Sequence, residues 1–181
     1  MNWFDLVLVI AVLVGVIVGY MQGLLRQLIG LGALYIGLVM AAYFQGWAER
    51  WIGFFFPRMA ETIKGSLAFL ALFALSYGLL DWLGRHSFPE TRLAVLGPFD
   101  QLGGVVIGFL IVGVEIGVGV TILEFLAGVS WIRGETLRLA VVEAMGTSHL
   151  VPFFQNYLSL VGQAILPWLP SGLPPLFYHL G

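Results

Sequence analysis

The 181 residues are 60% apolar and only 10% charged, with a net charge of −2 and no cysteine, whereas soluble domains run at roughly 45–50% apolar and about 25% charged. So few charges cannot cover a water-soluble domain of this size, which leaves lipid as the solvent. Eight lysines and arginines in a net-acidic chain exclude the basic patch of a nucleic-acid binder, and the lack of cysteine excludes disulfides, thiolate nucleophiles and iron–sulfur clusters.

A helix rising about 1.5 Å per residue needs about 20 residues to cross a ~30 Å hydrocarbon core. The first candidate span runs from Trp3 to Met21, with Asp5 at its mouth. Its opening lacks the Lys/Arg region of a signal peptide, and Gly19-Tyr20-Met21-Gln22 lacks a small-x-small cleavage pattern, so a retained span is expected. The second span runs from about Leu24 to Trp47, with Arg26 near its start. Only Gln22 and Gly23 separate the two, which predicts a tight antiparallel hairpin. The connector from Gln45 to Lys64 mixes Trp47, Trp51, Phe54, Phe55 and Phe56 with Glu49, Arg50 and Arg58, a composition suited to the membrane–water boundary. A third span covers about Gly65 to Leu83 and meets its first charge at Asp81. A polar connector from Gly84 to Phe99 holds Pro89 and Pro98, which prevent helix continuation. The fourth span, about Leu102 to Leu126, contains Glu115. These apolar runs are continuous, whereas barrel strands alternate every second residue, so the spans are helices.

From Ala144 to Gly181 there is no Asp, Glu, Lys or Arg. Pro152 and Pro167 bracket 14 residues, about 21 Å of helix and too short for a fifth span. On a helical wheel Ser148, Gln155, Asn156, Ser159 and Gln163 share one arc, while Leu150, Phe154, Leu158, Val161 and Ile165 lie elsewhere. That pattern predicts an amphipathic helix, either on the membrane surface or against the bundle, followed by an irregular tail from Pro167. The expectation is an all-α integral membrane four-helix bundle over residues 1–128. Residues 129–181 add an amphipathic, interfacial helix and a proline-rich tail to the same domain.

Small residues recur every fourth position: Gly15, Gly19 and Gly23; Ala33, Gly37 and Ala41; Gly104 and Gly108; Gly113 and Gly117. In lipid such stripes let helix backbones approach closely, whether inside the chain or between subunits, although glycine is also simply common in membrane helices. Glu115 falls near the middle of its span, where an ionised carboxylate is costly. Three roles are open to it: a hydrogen-bonded structural acid facing the bundle, the lining of a polar cavity that conducts protons or a solute, or the partner of a polar group on another subunit. Glu124 sits near the membrane edge as an ordinary interfacial acid. His86, His149 and His179 fall outside the spans, and no HExxH, GxSxG or paired-acid motif appears. Thr147-Ser148-His149 sets a hydroxyl beside an imidazole, but sequence neighbours on a helix do not face each other. No catalytic residue, metal or cofactor is expected.

Asn2-Trp3-Phe4-Asp5, a long apolar run and then Gly23-Leu24-Leu25-Arg26-Gln27-Leu28 resemble the colicin V production protein family, small bacterial inner-membrane proteins with four helices. The stretch from Phe99-Asp100-Gln101-Leu102-Gly103-Gly104 to Gly108 is similar to that family's Asp-Arg-x-x-Gly-x-x-x-Gly lead into the fourth helix. Thr147-Ser148-His149-Leu150-Val151-Pro152 is similar to its Ser-x-Leu-x-Pro stretch. The resemblance covers roughly residues 1–165 and marks Asp5, Gly23, Arg26, Asp100, Gly104 and Gly108. Three positions depart from the pattern. Gln22, Gln101 and Ile111 stand where relatives carry cations, and Glu115 is an extra acid.

The resemblance implies a non-enzymatic protein of the bacterial inner membrane that supports peptide-toxin production and export and envelope homeostasis. Its partners would be the lipid bilayer and, beyond that, further membrane subunits or a second copy. Two other functions compatible with the residues are a small pore or transporter and an accessory subunit of a larger complex. Arg50, Arg58, Lys64, Arg133 and Arg138 fall on the side of the N-terminus, against Arg26, Arg85 and Arg92 on the other. That leans towards both termini in the cytoplasm, while the family's habitual cations lie in the opposite loops.

Overall fold

The computed structural model of the chain describes residues 2–59, 61–88, 97–128 and 135–168. Its elements are α1 (Trp3–Gln22), α2 (Leu24–Phe55), α3 (Glu61–Ser87), α4 (Pro98–Ala127), α5 (Glu135–Gly146) and α6 (Val151–Ile165), followed by a 3-10 turn at Leu166–Trp168. The first four of these contain stretches long and apolar enough to cross a bilayer, and the chain is a multi-pass membrane protein. The tail beyond Trp168 with His179, the connector around Pro89 and Arg92, and Arg133 lie outside the described residues.

Element boundaries depart from the hydropathy reading for local reasons. α2 has 32 residues, about 48 Å of helix, and continues past Trp47 through the supposed connector. Ala48, Glu49 and Arg50 favour helix, and the chain holds no proline until Pro57. Phe56, which precedes that proline, leaves the helical region at φ −127° and ψ 68°. α3 starts earlier and ends later than its apolar run. Glu61 in its first turn and Arg85 and His86 in its last complement the helix dipole. Pro98 opens α4, since its fixed φ suits the first helical position. α5 occupies a stretch for which hydropathy gave no element.

α4 is the central helix. α1 packs along it on one side, α2 on another, and α6 on a third, while α3 packs along α2. The expected packing of α1 against α2 is therefore incorrect. Gly23 alone links them, yet α1 lies along α4 and α2 along α3. The reason is side-chain size, because the glycine face of α1 fits the glycine face of α4. Two buried clusters flank α4. One joins Leu34, Leu38, Phe69 and Phe73 to Val114, Val118 and Leu158. The other joins Phe4 and Leu8 to Val112, Ile116, Met145 and Phe154. α6 thus settles against the bundle, with Phe154 and Leu158 buried and the Tyr157 hydroxyl donating to the Leu110 carbonyl at 3.1 Å.

Candidate functional site

Polar groups at the mouth of α1 tie it to the turn between α5 and α6. Asn2 and Asp5 form a capping box, in which the Asn2 side chain accepts from the Asp5 N–H at 2.9 Å and the Asn2 N–H donates to the Asp5 carboxylate at 3.0 Å. The other carboxylate oxygen reaches the turn between α5 and α6. There it accepts from the Ser148 hydroxyl and from the N–H groups of His149 and Leu150, at 3.1 and 3.2 Å. Ser148 Oγ in turn accepts from Leu150 and Val151 N–H at the start of α6. The Asn2 amide donates to the Ala144 carbonyl and the Thr147 hydroxyl. Asp5 is wholly buried and surrounded by donors, as a carboxylate inside a protein must be.

At the opposite end Gly23 precedes α2 and offers no side chain to cap it. Asp100, from the first turn of α4, takes that role by accepting from the Leu24 N–H at 2.9 Å. Gly23 has φ +81°, and a Cβ there would collide with the Asp100 carboxylate, so both conformation and space require glycine. Between these ends Gly15 and Gly19 of α1 face Gly104, Gly108 and Val112 of α4. A Cβ on Gly108 would come within 2.9 Å of the Gly15 carbonyl oxygen, and one on Gly15 within 2.6 Å of Val112 Cβ. Gly37 backs onto Tyr77, Gly113 onto the Tyr157 ring, and Gly117 onto Leu158. Each of these expected packing glycines meets a neighbour within the chain.

Because α1 and α3 sit at opposite ends of the α1–α4–α2–α3 arc, a cleft of about 460 Å³ opens between them. Its lining on α1 runs from Gln22 to Ala11, about 16 Å of helix and half of a ~30 Å hydrocarbon core. Near the Gly23 turn, Arg26 pairs with Asp81 at 2.8 Å, and Arg85 pairs with the other oxygen of Asp81 at 2.7 Å. Arg26 is buried, with 8% of its side chain exposed, against 62% for Arg85. One turn of α3 further in, the Tyr77 hydroxyl donates to Glu115 at 2.8 Å. Glu115 does not turn into the core. Its side chain is exposed, in the cleft.

A second polar set lies where α4, α5 and α6 meet. The Gln155 amide donates to Glu124. Arg138 donates to both Glu135 oxygens and to the Ala127 carbonyl, and its bond to Glu135 raises the guanidinium pKa above its ordinary value. Among the described residues no group of three or more His, Asp or Glu is placed to hold a metal ion.

The motif residues thus fall into contacting sets: Asp5 with Ser148, and Gly23, Gly104 and Asp100 together. Arg26 and Glu115 line one cleft. Asp81, Arg85 and Tyr77 complete that cleft and were not singled out from the sequence. Asp81 and Arg85 do carry a signal, being opposite charges four apart on a helix, but nothing in the sequence joins Arg26 to Asp81. Gln22 and Ile111, two of the positions where the resemblance led one to expect cations, also line the cleft. No curated protein and no solved structure matches the chain. The family model described as colicin V production protein matches residues 4–159, a stretch that holds α2 to α4, all but the first residue of α1, the Asp5–Ser148 contact and the Gly23–Asp100 cap. This chain belongs to the colicin V production protein family.

Proposed function

We propose that this chain is a bacterial inner-membrane protein that supports peptide-toxin production and export and envelope homeostasis without catalysing a reaction itself. The carrying observation is how its motif acids are used. Asp5 and Asp100 are buried and bonded to backbone and hydroxyl donors of the same chain, so they hold helices rather than meet a substrate. Family membership supplies the link to toxin production. The test is complementation: a toxin-producing strain lacking its own family member should regain toxin release and a quiet envelope-stress response when this chain is expressed. Membrane-inserted, abundant protein that restores neither would refute the reading.

A transport reading has one observation in its favour, the acid and ion pairs lining a cleft half a membrane deep. Glu115→Gln separates the two, because Gln still accepts from Tyr77 but cannot titrate. Under the proposed function the variant matches the parent in abundance and activity, whereas an abundant but inactive variant promotes transport. The mass extracted in mild detergent is a second discriminator. A single chain agrees with the proposal, a ring of copies favours a pore, and co-purifying subunits favour an accessory role.

A further inference from the structure

Arginine carries five N–H donors, yet the acceptors around Arg26 serve mainly one of its nitrogens. Nη2 donates to the Asp81 carboxylate at 2.8 Å and weakly to the Asp81 carbonyl at 3.4 Å. Nη1 is buried with no acceptor among the described residues. An unpaired charged donor inside a protein is costly, so this end of the cleft is short of acceptors. It is also short of negative charge, because among the described residues Arg26 and Arg85 share the single carboxylate of Asp81. The cleft's other acid, Glu115, is bonded to Tyr77, one turn of α3 away from Asp81. Arg26 and Arg85 both line the cleft, so the two guanidiniums border one open volume.

We infer that the Arg26–Arg85 end of the cleft binds a phosphate group, with both guanidiniums donating to its oxygens. Guanidinium forks match phosphate in geometry and charge. The opening between α1 and α3 lets the phosphate arrive on a phospholipid, whose chains then lie against Val14 and Val18, or free from the water. This assignment goes beyond the proposed function and does not depend on it.

Native mass spectrometry from nanodiscs of mixed phosphatidylglycerol and phosphate-free digalactosyldiacylglycerol reads the lipid arm, and thermal stabilisation by inorganic phosphate in lipid-free detergent reads the soluble arm. The parent retains phosphatidylglycerol in preference to the galactolipid if the phosphate comes on a lipid, and is stabilised by inorganic phosphate if it comes from water. Either result supports the site. Arg85→Gln, an exposed position that leaves the buried pair intact, lowers the effect about tenfold, the loss of one charge-assisted bond. Arg26→Lys keeps the charge but not the fork and lowers it too, while Arg50→Gln, outside the cleft, does not. Equal retention of the two lipids together with no response to inorganic phosphate overturns the inference, as does an Arg85→Gln variant that behaves as the parent.

Discussion

A carboxylate taken out of water needs donors around it, and at Asp5 they come from two distant parts of the chain: Asn2 beside it and the turn at Ser148 to Leu150. The acid thus works as a clasp between α1 and the turn that leads into α6. Asp5→Ala leaves the Ser148 hydroxyl and two N–H groups without their acceptor. Ser148→Ala removes one donor and the bonds at the start of α6, a loss of about 1 kcal/mol. Because the two act on one set of bonds, their effects should not add. In detergent unfolding, Asp5→Ala should be the more damaging, and Ser148→Ala should then change little further. Additive losses would mean the two residues act separately. The sequence showed that both residues sit in motif-like stretches, but their partnership depends on α5, which hydropathy does not reveal. Glu115 shows the other side of the same difficulty. Its depth could be counted along the helix, but whether it faces the core or a cleft depends on how α1 and α3 diverge.

At the scale of helices, hydropathy locates the segments that lie in lipid, because continuous apolar runs of sufficient length have no other stable place. It does not say which helices are neighbours. The glycine stripes showed which faces are small, and the short link at Gly23 suggested that α1 pairs with α2, yet the matching stripe is on α4. One prediction concerns that seam, and two glycines of α2 away from it serve as controls. Gly19→Ala sets a methyl group against the Gly104 backbone, where only movement of a whole helix can relieve it, so folded protein in the membrane should fall sharply. Gly32→Ala meets nothing within 4 Å among the described residues and should raise stability by up to about 1 kcal/mol through helix propensity. Gly53, in the last turns of α2, has among the described residues only the Lys64 side chain nearby, at 3.8 Å, and should tolerate alanine. Equal tolerance at Gly19 and Gly32 would show the seam to be loose. The cap on α2 is a separate element-scale case. Asp100→Ala should cost about 1–2 kcal/mol, as losing a side-chain cap does, while Asp100→Asn retains an acceptor for the Leu24 N–H and should cost less.

The whole molecule is an open arc of four spans, and its one consequence for chemistry is that α1 has two unlike faces in the membrane. Val14 and Val18 line the cleft beside Arg26, Asp81 and Glu115, whereas Leu13 and Ile17 are exposed outside it. Ion pairs at the mouth of this cleft, and the Glu115 carboxylate deeper in it, draw in water or a polar ligand, since bare charges in hydrocarbon are costly. The thiolate, not the thiol, reacts with maleimides, so a cysteine is labelled only where water reaches it. The parent has no cysteine, which makes single-cysteine variants free of background. A membrane-impermeant maleimide should label Val18→Cys readily and Val14→Cys more slowly, because Val14 lies one turn deeper. Leu13→Cys and Ile17→Cys should stay unlabelled until the membrane is dissolved. The side from which Val18→Cys is reached also reports which compartment the Gly23 turn faces, and so fixes the orientation of both termini. Similar labelling at all four positions would mean that α1 is loosely packed. No labelling at Val18 would mean that the cleft is closed in the bilayer or filled by lipid, and repeating the reaction after lipid is stripped by detergent exchange separates those two states.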